Sequence, residues 1–407
     1  MSIIYDAIYV PIITYGCGTW GWATYKVHIK RKLISSQRRA LLLITKAFRT
    51  TSNLSLQVIA RKPPTDLIIT ERQKLNQLKW GATIQTRFQL ITHNEVEWTS
   101  PFQNKLHYNI PIKCNPDVAR KTPVEIYTDG SKINDLIGCS FVAYENLNEV
   151  FHQCIHLGNQ CSVFQAELYA IKKAINWANR SYTNINIHIY TDSLSAYYTI
   201  HSNNLHPLAE DIRNAIYAST CTYTITWIRS HQNVLGNETA DSLAKQAAED
   251  STLPTEYNNL SQLTLKQLLK KDTIYAWQDI WNNNSHHITY EYIPDLHHFL
   301  KLDWFSPNYY TTQMLTGHGK FACYLAKFTN KTSDECLTCS VEDGPKHYLY
   351  DCIIFEQERL EIKLLIEESE INWPCRLSDI WNSKIIYDAF QKLTKRVNYI
   401  MQRTMHN

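Results

Sequence analysis

The order of short apolar runs and amphipathic segments between residues 124 and 250 constrains the fold most. Three runs typical of strands are followed by a helix, a strand, two helices, a strand and a last helix. We predict strands at residues 124–128, 137–144, 150–157, 185–189 and 223–228, and helices from residue 162 and at 193–201, 208–218 and 237–248. This order predicts an α/β fold with a mixed five-stranded sheet and helices on both faces.

Four acidic residues occupy defined places in this pattern. Asp129 and Asp192 follow predicted strands, Glu167 lies on the apolar stripe of the first helix, and Asp241 lies on the inner side of the last helix. Carboxylates that converge repel one another and raise each other's pKa, and divalent cations remove that repulsion. Oxygen ligands of this kind favour Mg²⁺ or Mn²⁺ over zinc, and two such ions are a natural basis for phosphodiester hydrolysis.

A histidine, His231, precedes Asp241 by ten positions in the loop after the last predicted strand. A histidine there can shuttle a proton or assist the release of product and metal. Taken singly, each of these residues has an ordinary interpretation, because an aspartate after a strand is usually a turn or capping residue. The functional prediction depends on the joint order of acid on strand, acid on helix, acid on strand, histidine loop and acid on helix.

Residues 124 to 250 resemble a type 1 ribonuclease H domain. The resemblance is carried by Thr128-Asp129-Gly130-Ser131, Ala166-Glu167-Leu168, Thr191-Asp192-Ser193, Ser230-His231 and Gly236-Asn237-Glu238-Thr239-Ala240-Asp241. It implies a metal-dependent endonuclease that hydrolyses the RNA strand of RNA–DNA hybrids by a two-metal mechanism. It assigns the metal ions to Asp129, Glu167, Asp192 and Asp241, a catalytic role to His231, and contacts with the RNA 2′-hydroxyl to Gly130, Ser131 and Gln165.

An alternative of a different class is a retroelement-derived nucleic-acid-binding protein that folds but is catalytically silent. Loss of any one acid would favour that alternative, and none is lost. Some members of the family carry a basic protrusion where this chain has the short segment 202–207, which is uncharged apart from His206. We therefore expect other residues to bind the phosphates of a hybrid, for instance the basic stretch at residues 26–49.

A second cluster has the spacing Cys-x2-Cys-x7-His-x4-Cys and consists of Cys336, Cys339, His347 and Cys352. Three thiolates and an imidazole suit a tetrahedral structural zinc ion, whereas the ordinary alternative is four unligated residues in a small helical domain. The segment resembles the C-terminal Cys/His module of non-LTR retrotransposons, in which Leu315-Thr316-Gly317-His318-Gly319 commonly precedes it. That resemblance adds single-stranded nucleic acid as a possible partner.

The N-terminal region is basic, because residues 7–65 contain ten Lys or Arg and no Asp or Glu. Such a block indicates a polyanion partner or simply a solvated helix face. It resembles the C-terminal part of a non-LTR retrotransposon reverse transcriptase, through Tyr15-Gly16, Trp20, Gln37-Arg38-Arg39 and Arg49-Thr50-Thr51-Ser52. No Tyr/Phe-x-Asp-Asp box occurs, so we expect no DNA synthesis by this chain.

These patterns predict a helical basic remnant at residues 1–83, a linker at 84–122, a ribonuclease H domain at 123–250, a linker at 251–262 and a helical Cys/His region at 263–407. No apolar run is long enough to span a bilayer, so no membrane partner is expected. Eleven cysteines and no secretion signal indicate an intracellular protein with mostly free thiols, in either nucleus or cytoplasm. The sequence leaves the oligomeric state open.

Overall fold

The structure, a computed structural model, describes residues 1–99, 123–202, 205–230, 232, 234–328 and 333–404. The chain forms two compact units. The helical unit comprises Met1–Gln77, Thr86–Phe88 and Leu269–Asn407, and the sheet unit comprises Leu78–Gln85 and Gln89–Leu268. None of the helices in the described residues is long and apolar enough to cross a membrane.

Helices of eight or more residues are numbered along the chain. They are α1 (Val27–Thr45), α2 (Asn53–Ala60), α3 (Thr65–Lys79), α4 (Val163–Ser181), α5 (Leu194–His201), α6 (Pro207–Tyr217), α7 (Leu235–Glu249), α8 (Gln262–Asn282), α9 (Tyr309–Thr316), α10 (Glu356–Glu368) and α11 (Lys384–Thr404). Shorter helical segments are Ser2–Ile4, Tyr5–Tyr9, Val10–Thr14, Cys17–Trp20, Gly21–Tyr25, His93–Glu95, Ile288–Tyr292, Leu296–Phe299, Ala322–Phe328, Pro345–Tyr350, Ile353–Phe355 and Leu377–Trp381.

The sheet unit is organised around six strands. They are β1 (Val124–Ile133), β2 (Leu136–Glu145), β3 (Asn148–Leu157), β4 (Asn186–Thr191), β5 (Thr222–Trp227) and β6 (Thr255–Tyr257). Their spatial order is β5-β4-β1-β2-β3-β6. The pairs β1/β2 and β2/β3 are antiparallel, whereas β4 is parallel to both β1 and β5 and β6 is parallel to β3. The prediction of a mixed sheet with helical flanking segments is confirmed.

The sixth strand corrects one prediction. Residues 251–262 were expected to be a linker, yet β6 lies within them and extends the sheet beside β3. The predicted linker at 84–122 likewise contains a small hairpin, Ile84–Gln85 paired with Leu90–Ile91. Strands of two or three residues are too short to show the period-2 alternation from which a strand is recognised in a sequence.

Helices pack on both faces of the sheet, as the alternation of side chains along β2 shows. Phe141 points to one face, where its ring lies 5.9 Å from the ring of Trp177 on α4. Its neighbour Ser140 points to the other face, where its hydroxyl donates a 2.7 Å hydrogen bond to the carbonyl oxygen of Ala240 on α7. Both α4 and α7, which carry two of the predicted acids, therefore lie directly against the central strands.

The helical unit has one apolar core that combines the N-terminal and C-terminal parts of the chain. Val58 and Ile59 of α2 are fully buried in the same cluster as Trp277, Trp281 and Phe390. The sequence predicted residues 1–83 and 263–407 as separate regions, whereas most of both ranges belongs to one unit. Helical periodicity shows which face of a helix is buried but not which distant helix covers it.

Candidate metal centres

The strand register places Asp129 and Asp192 side by side. β1 and β4 are parallel, and their last paired positions are Thr128 and Thr191. Asp129 and Asp192 each follow the last paired residue, so they lie at the same level on adjacent strands. β1 itself continues to Ile133 because it remains paired with β2, so Asp129 lies within a strand and not at its end as predicted.

Glu167 reaches the two aspartates because α4 packs closely on β1. The helix begins with a capping box in which Ser162 and Gln165 bond each other's backbone N–H groups. Glu167 lies two residues after Gln165, opposite Gly130 of β1. A Cβ atom on Gly130 would lie 2.6 Å from the backbone nitrogen of Glu167, so only glycine permits this approach.

Together Asp129, Glu167 and Asp192 form the carboxylate cluster, whose carboxylate oxygens lie within 4.8 Å of one another. Asp129 and Glu167 are each 6% exposed. Burial, followed by the charges of Asp192 and Asp241, raises the pKa of Asp129 to about 7. Burial and the charges of Asp129 and Asp192 raise the pKa of Glu167 well above its usual value. The backbone N–H of Gly130 donates hydrogen bonds to both carboxyl groups, and these bonds partly offset the increases in the two pKa values.

The fourth predicted ligand, Asp241, lies near the carboxylate cluster but outside it. Its Oδ2 atom accepts a 2.6 Å hydrogen bond from the ammonium group of Lys245, one turn later on α7. The two charges are partly exposed, and such pairs are weak. Asp241 is still close enough for its charge to raise the pKa of Asp129. The structure thus brings three of the four acids together and leaves the fourth paired with a lysine.

The other predicted site residues differ in what the structure shows. His231 lies outside the described residues. Ser131 is half-buried on β1, next to Gly130. Gln165 is fully buried, and its amide nitrogen donates to Glu97 Oε2 at 3.2 Å and to the Asn259 carbonyl oxygen at 2.9 Å. Because Gln165 also serves in the capping box, its side chain is fully used within the protein, and its contact with substrate stays a prediction.

Three residues beside the acids were not predicted as part of the site. Lys245 pairs with Asp241 as described, the indole N–H of Trp227 donates to the Asp192 carbonyl oxygen at 3.0 Å, and Asn237 Nδ2 lies 3.5 Å from Asp192 Oδ2. Asn237 and Lys245 each lie four residues from Asp241 on a helix, so they share its face. That spacing was the signal that could have identified them.

The Cys/His cluster of Cys336, Cys339, His347 and Cys352 is brought together as predicted, with ligand atoms within 4.8 Å of one another. The Cys339 and Cys352 sulfur atoms are 3.9 Å apart. A tetrahedral zinc ion with Zn–S bonds of ~2.3 Å holds its sulfur ligands about 3.8 Å apart. Within the described part of the chain, the buried Nε2 atom of His347 has no hydrogen-bond partner, and burial raises the pKa of Cys352 to about 12.

Part of the chain is similar to known proteins. Residues 121–249 match the family model described as RNase H. This part of the chain is therefore an RNase H domain, and it contains the carboxylate cluster. RNase H1 from the archaeon Halobacterium salinarum NRC-1 is similar at 21% identity, over 31% of this chain and 98% of that chain, with a TM-score of 0.28.

The relatives include Pol polyproteins of retrotransposons. The chain is 25% identical over 157 residues to the retrovirus-related Pol polyprotein from type-1 retrotransposable element R1 of Popillia japonica, covering 37% of this chain and 60% of that protein. It is 32% identical over 88 residues to the corresponding R1 4 polyprotein of Nasonia vitripennis, covering 21% of this chain and 22% of that protein. The matched regions thus span less than two thirds of either relative.

Proposed function

We propose that the RNase H domain hydrolyses the RNA strand of RNA–DNA hybrids with two divalent cations. The observation that carries this proposal is the convergence of Asp129, Glu167 and Asp192 within 4.8 Å on the sheet unit. The family match supports the reaction class, because it covers the same residues. The R1 relatives support a retroelement origin, in which RNA–DNA hybrids are a natural substrate.

The residues present fit divalent cations. Glu167 Oε2 is buried and has no hydrogen-bond partner among the residues that the structure describes, and a buried carboxylate oxygen without a partner is costly. The pKa of Asp129 is raised to about 7 chiefly by burial and then by its acidic neighbours, so the ionised cluster needs positive charge. The ligand set consists of carboxylate oxygens alone, which suits Mg²⁺ or Mn²⁺.

The chain's own residues bind and orient what the reaction needs. Asp129, Glu167 and Asp192 would hold the ions, and Asp241 would join them once its ion pair with Lys245 opens. When bound, a pair of such ions activates a water molecule and stabilises the leaving oxygen of the phosphodiester. Gly130 holds Asp129 and Glu167 through its N–H, and Trp227 and Asn237 hold the Asp192 segment in place. We assign proton transfer to His231.

Substrate choice is assigned to the groups beside the first acid. An RNA strand differs from a DNA strand by its 2′-hydroxyl, which donates and accepts hydrogen bonds. Ser131 is half-buried next to the carboxylate cluster and can present its hydroxyl and backbone there. Gly130 and Gln165, which lie beside the first and second acids, complete the proposed set.

We assign a structural zinc ion to the Cys/His cluster. Three observations support this assignment: the sulfur separation of 3.9 Å, the burial of Cys336 and Cys352, and the His347 Nε2 atom, which has no partner among the described residues. A closed set of four protein ligands leaves no position for substrate, so the ion would stabilise the segment and take no part in chemistry.

The experiment that tests the nuclease proposal measures cleavage of a hybrid labelled on its RNA strand, in Mg²⁺. We expect Asp129→Asn to lower the cleavage rate by more than about a hundredfold, because it removes a charge from the metal site. The matched control is Asp211→Asn, which changes an exposed carboxylate of α6 paired with Lys172 in the same domain. The control variant should cleave at the wild-type rate.

Two outcomes contradict the proposal. Equal cleavage by wild type and Asp129→Asn would point to a contaminating nuclease. Binding of the hybrid by wild type without cleavage, in Mg²⁺ or Mn²⁺, would favour the catalytically silent nucleic-acid-binding protein instead.

A further inference from the structure

Two segments that the nuclease site does not use meet in the helical unit. Thr50-Thr51-Ser52 lies just before α2, and Thr316-Gly317-His318 lies at the end of α9. Thr50 Oγ1 is 2.8 Å from His318 Nδ1 and 2.7 Å from the Tyr324 hydroxyl. The two segments are more than 260 residues apart in sequence, and this contact places them on the same small pocket.

The pocket has a volume of about 180 Å³ and is lined by hydroxyl and imidazole groups together with the apolar side chain of Ile288. Among them are Thr50, Thr51, Ser52, His287, Thr316 and His318, and none of the described residues that line it is acidic. Pockets for drug-sized ligands are usually about 300 Å³ or larger. This one therefore suits a single small group with several hydrogen-bond acceptors.

One hydroxyl group in the pocket has no partner. Thr51 is 1% exposed, and its Oγ1 atom makes no hydrogen bond within the described part of the chain. The comparable hydroxyl of Ser55, which lines the same pocket, accepts a 2.9 Å hydrogen bond from the Thr289 hydroxyl. A buried hydroxyl without a partner is costly unless something else bonds it, so the Thr51 hydroxyl indicates a ligand.

The surroundings favour an anion. The pocket lies at the N-terminus of α2, where Ser52 caps the helix by accepting from the Ser55 N–H. Helix N-termini attract anions through their free N–H groups and the helix dipole. Arg49 is exposed next to Thr50. Burial lowers the pKa of His318, and the positive charge of nearby Lys327 lowers it further. Neutral imidazoles can still donate a hydrogen bond from one ring nitrogen.

We propose that this pocket binds a phosphate monoester, with the Thr51 hydroxyl as its buried donor. A terminal phosphate projects from its strand as a compact group and can enter a pocket of this size. A phosphate within a strand carries a sugar on each side, and the pocket is too small for them. The site lies in the helical unit and does not depend on the carboxylate cluster.

The test measures binding of inorganic phosphate to the whole chain by calorimetry, at constant ionic strength and without added divalent cation. Thr51→Val removes the hydroxyl and keeps the volume. We expect about tenfold weaker binding, since a hydrogen bond to a charged group is lost. Thr51→Ser should restore binding. The matched control is Thr394→Val, which changes an equally buried hydroxyl that already bonds the Gln391 carbonyl oxygen on α11.

Oligonucleotides distinguish the source of the phosphate. A 5′-phosphorylated strand that binds more tightly than its 5′-hydroxyl form, with the gain lost in Thr51→Val, identifies a strand end. Thr51-dependent binding of inorganic phosphate without that gain identifies the free ion. If phosphate does not bind, or if Thr51→Val and Thr394→Val bind phosphate as wild type does, the proposal is wrong.

Discussion

The carboxylate cluster and the Cys/His cluster are both convergent sets of metal-binding side chains, but the chain assembles them in opposite ways. The carboxylates come from β1, α4 and the segment after β4, and the sheet register and helix packing hold them together. The four Cys/His ligands lie within residues 336–352, where turns and an isolated bridge between Glu342 and the preceding residue Glu335 lead into the short helix Pro345–Tyr350. The fold supports the carboxylate cluster, whereas the proposed zinc ion would support the fold around the Cys/His cluster.

Removal of the proposed zinc ion should have the largest effect and is the strongest test of this comparison. Folding free energies supplied by structural zinc are on the order of 10 kcal/mol in small domains. Cys336 and Cys352 belong to the core of the helical unit. We therefore expect Cys352→Ser, or a strong zinc chelator, to abolish the cooperative thermal unfolding of that unit, followed by circular dichroism, while hybrid cleavage in Mg²⁺ persists.

The matched control is Cys375→Ser, because Cys375 is buried in the same core but does not belong to the Cys/His cluster. It should retain bound zinc, measured by atomic absorption, and unfold close to the wild-type temperature. A wild-type protein that contains no zinc after mild purification would contradict the proposed difference between the two clusters, because the fold alone would then assemble both.

The same difference explains what could be predicted from the sequence. The Cys/His cluster could be recognised from its spacing, because two cysteines separated by two residues, followed by a histidine and a cysteine nearby, form the pattern that structural zinc sites use. The carboxylate cluster required the order of strands and helices, because parallel strands bring Asp129 and Asp192 to one level. The position of Asp241 could not be predicted, because its ion pair with Lys245 depends on side-chain conformation within a single helix turn. The shared core of the helical unit could not be predicted from the sequence either, because it joins α2 to residues more than 200 positions away.

The carboxylate cluster should behave in the opposite way when its ions are removed. Without metal, the fold holds buried carboxylates against their mutual repulsion. We expect Asp129→Asn to raise the unfolding free energy of the RNase H domain by about 1–3 kcal/mol in EDTA at pH 8, although it abolishes cleavage. Chemical denaturation followed by fluorescence measures this, with Asp211→Asn within about 0.5 kcal/mol of wild type.

The sign of the pH dependence follows from the same group. The pKa of Asp129 is about 7 in the folded chain and 3.8 ordinarily, so between these values the folded state binds more protons than the unfolded state. Wild-type stability in EDTA should therefore fall as the pH rises through this interval, and Asp129→Asn should weaken that dependence. A wild-type domain that becomes more stable over the same interval would contradict the repulsion on which the metal proposal depends.

The smallest expected effect concerns the pair between Asp241 and Lys245. Its 2.6 Å contact competes with any cation for the same carboxylate, and an exposed pair of this kind contributes at most about 1 kcal/mol. Lys245→Met should therefore lower the Mg²⁺ concentration for half-maximal cleavage by about two- to fivefold, with Lys172→Met, which breaks the distant pair with Asp211, as control. A lower maximal rate at saturating Mg²⁺ would instead show that Lys245 contacts the hybrid. Lys245 would then be a substrate-binding residue and not a competitor of the metal for the Asp241 carboxylate.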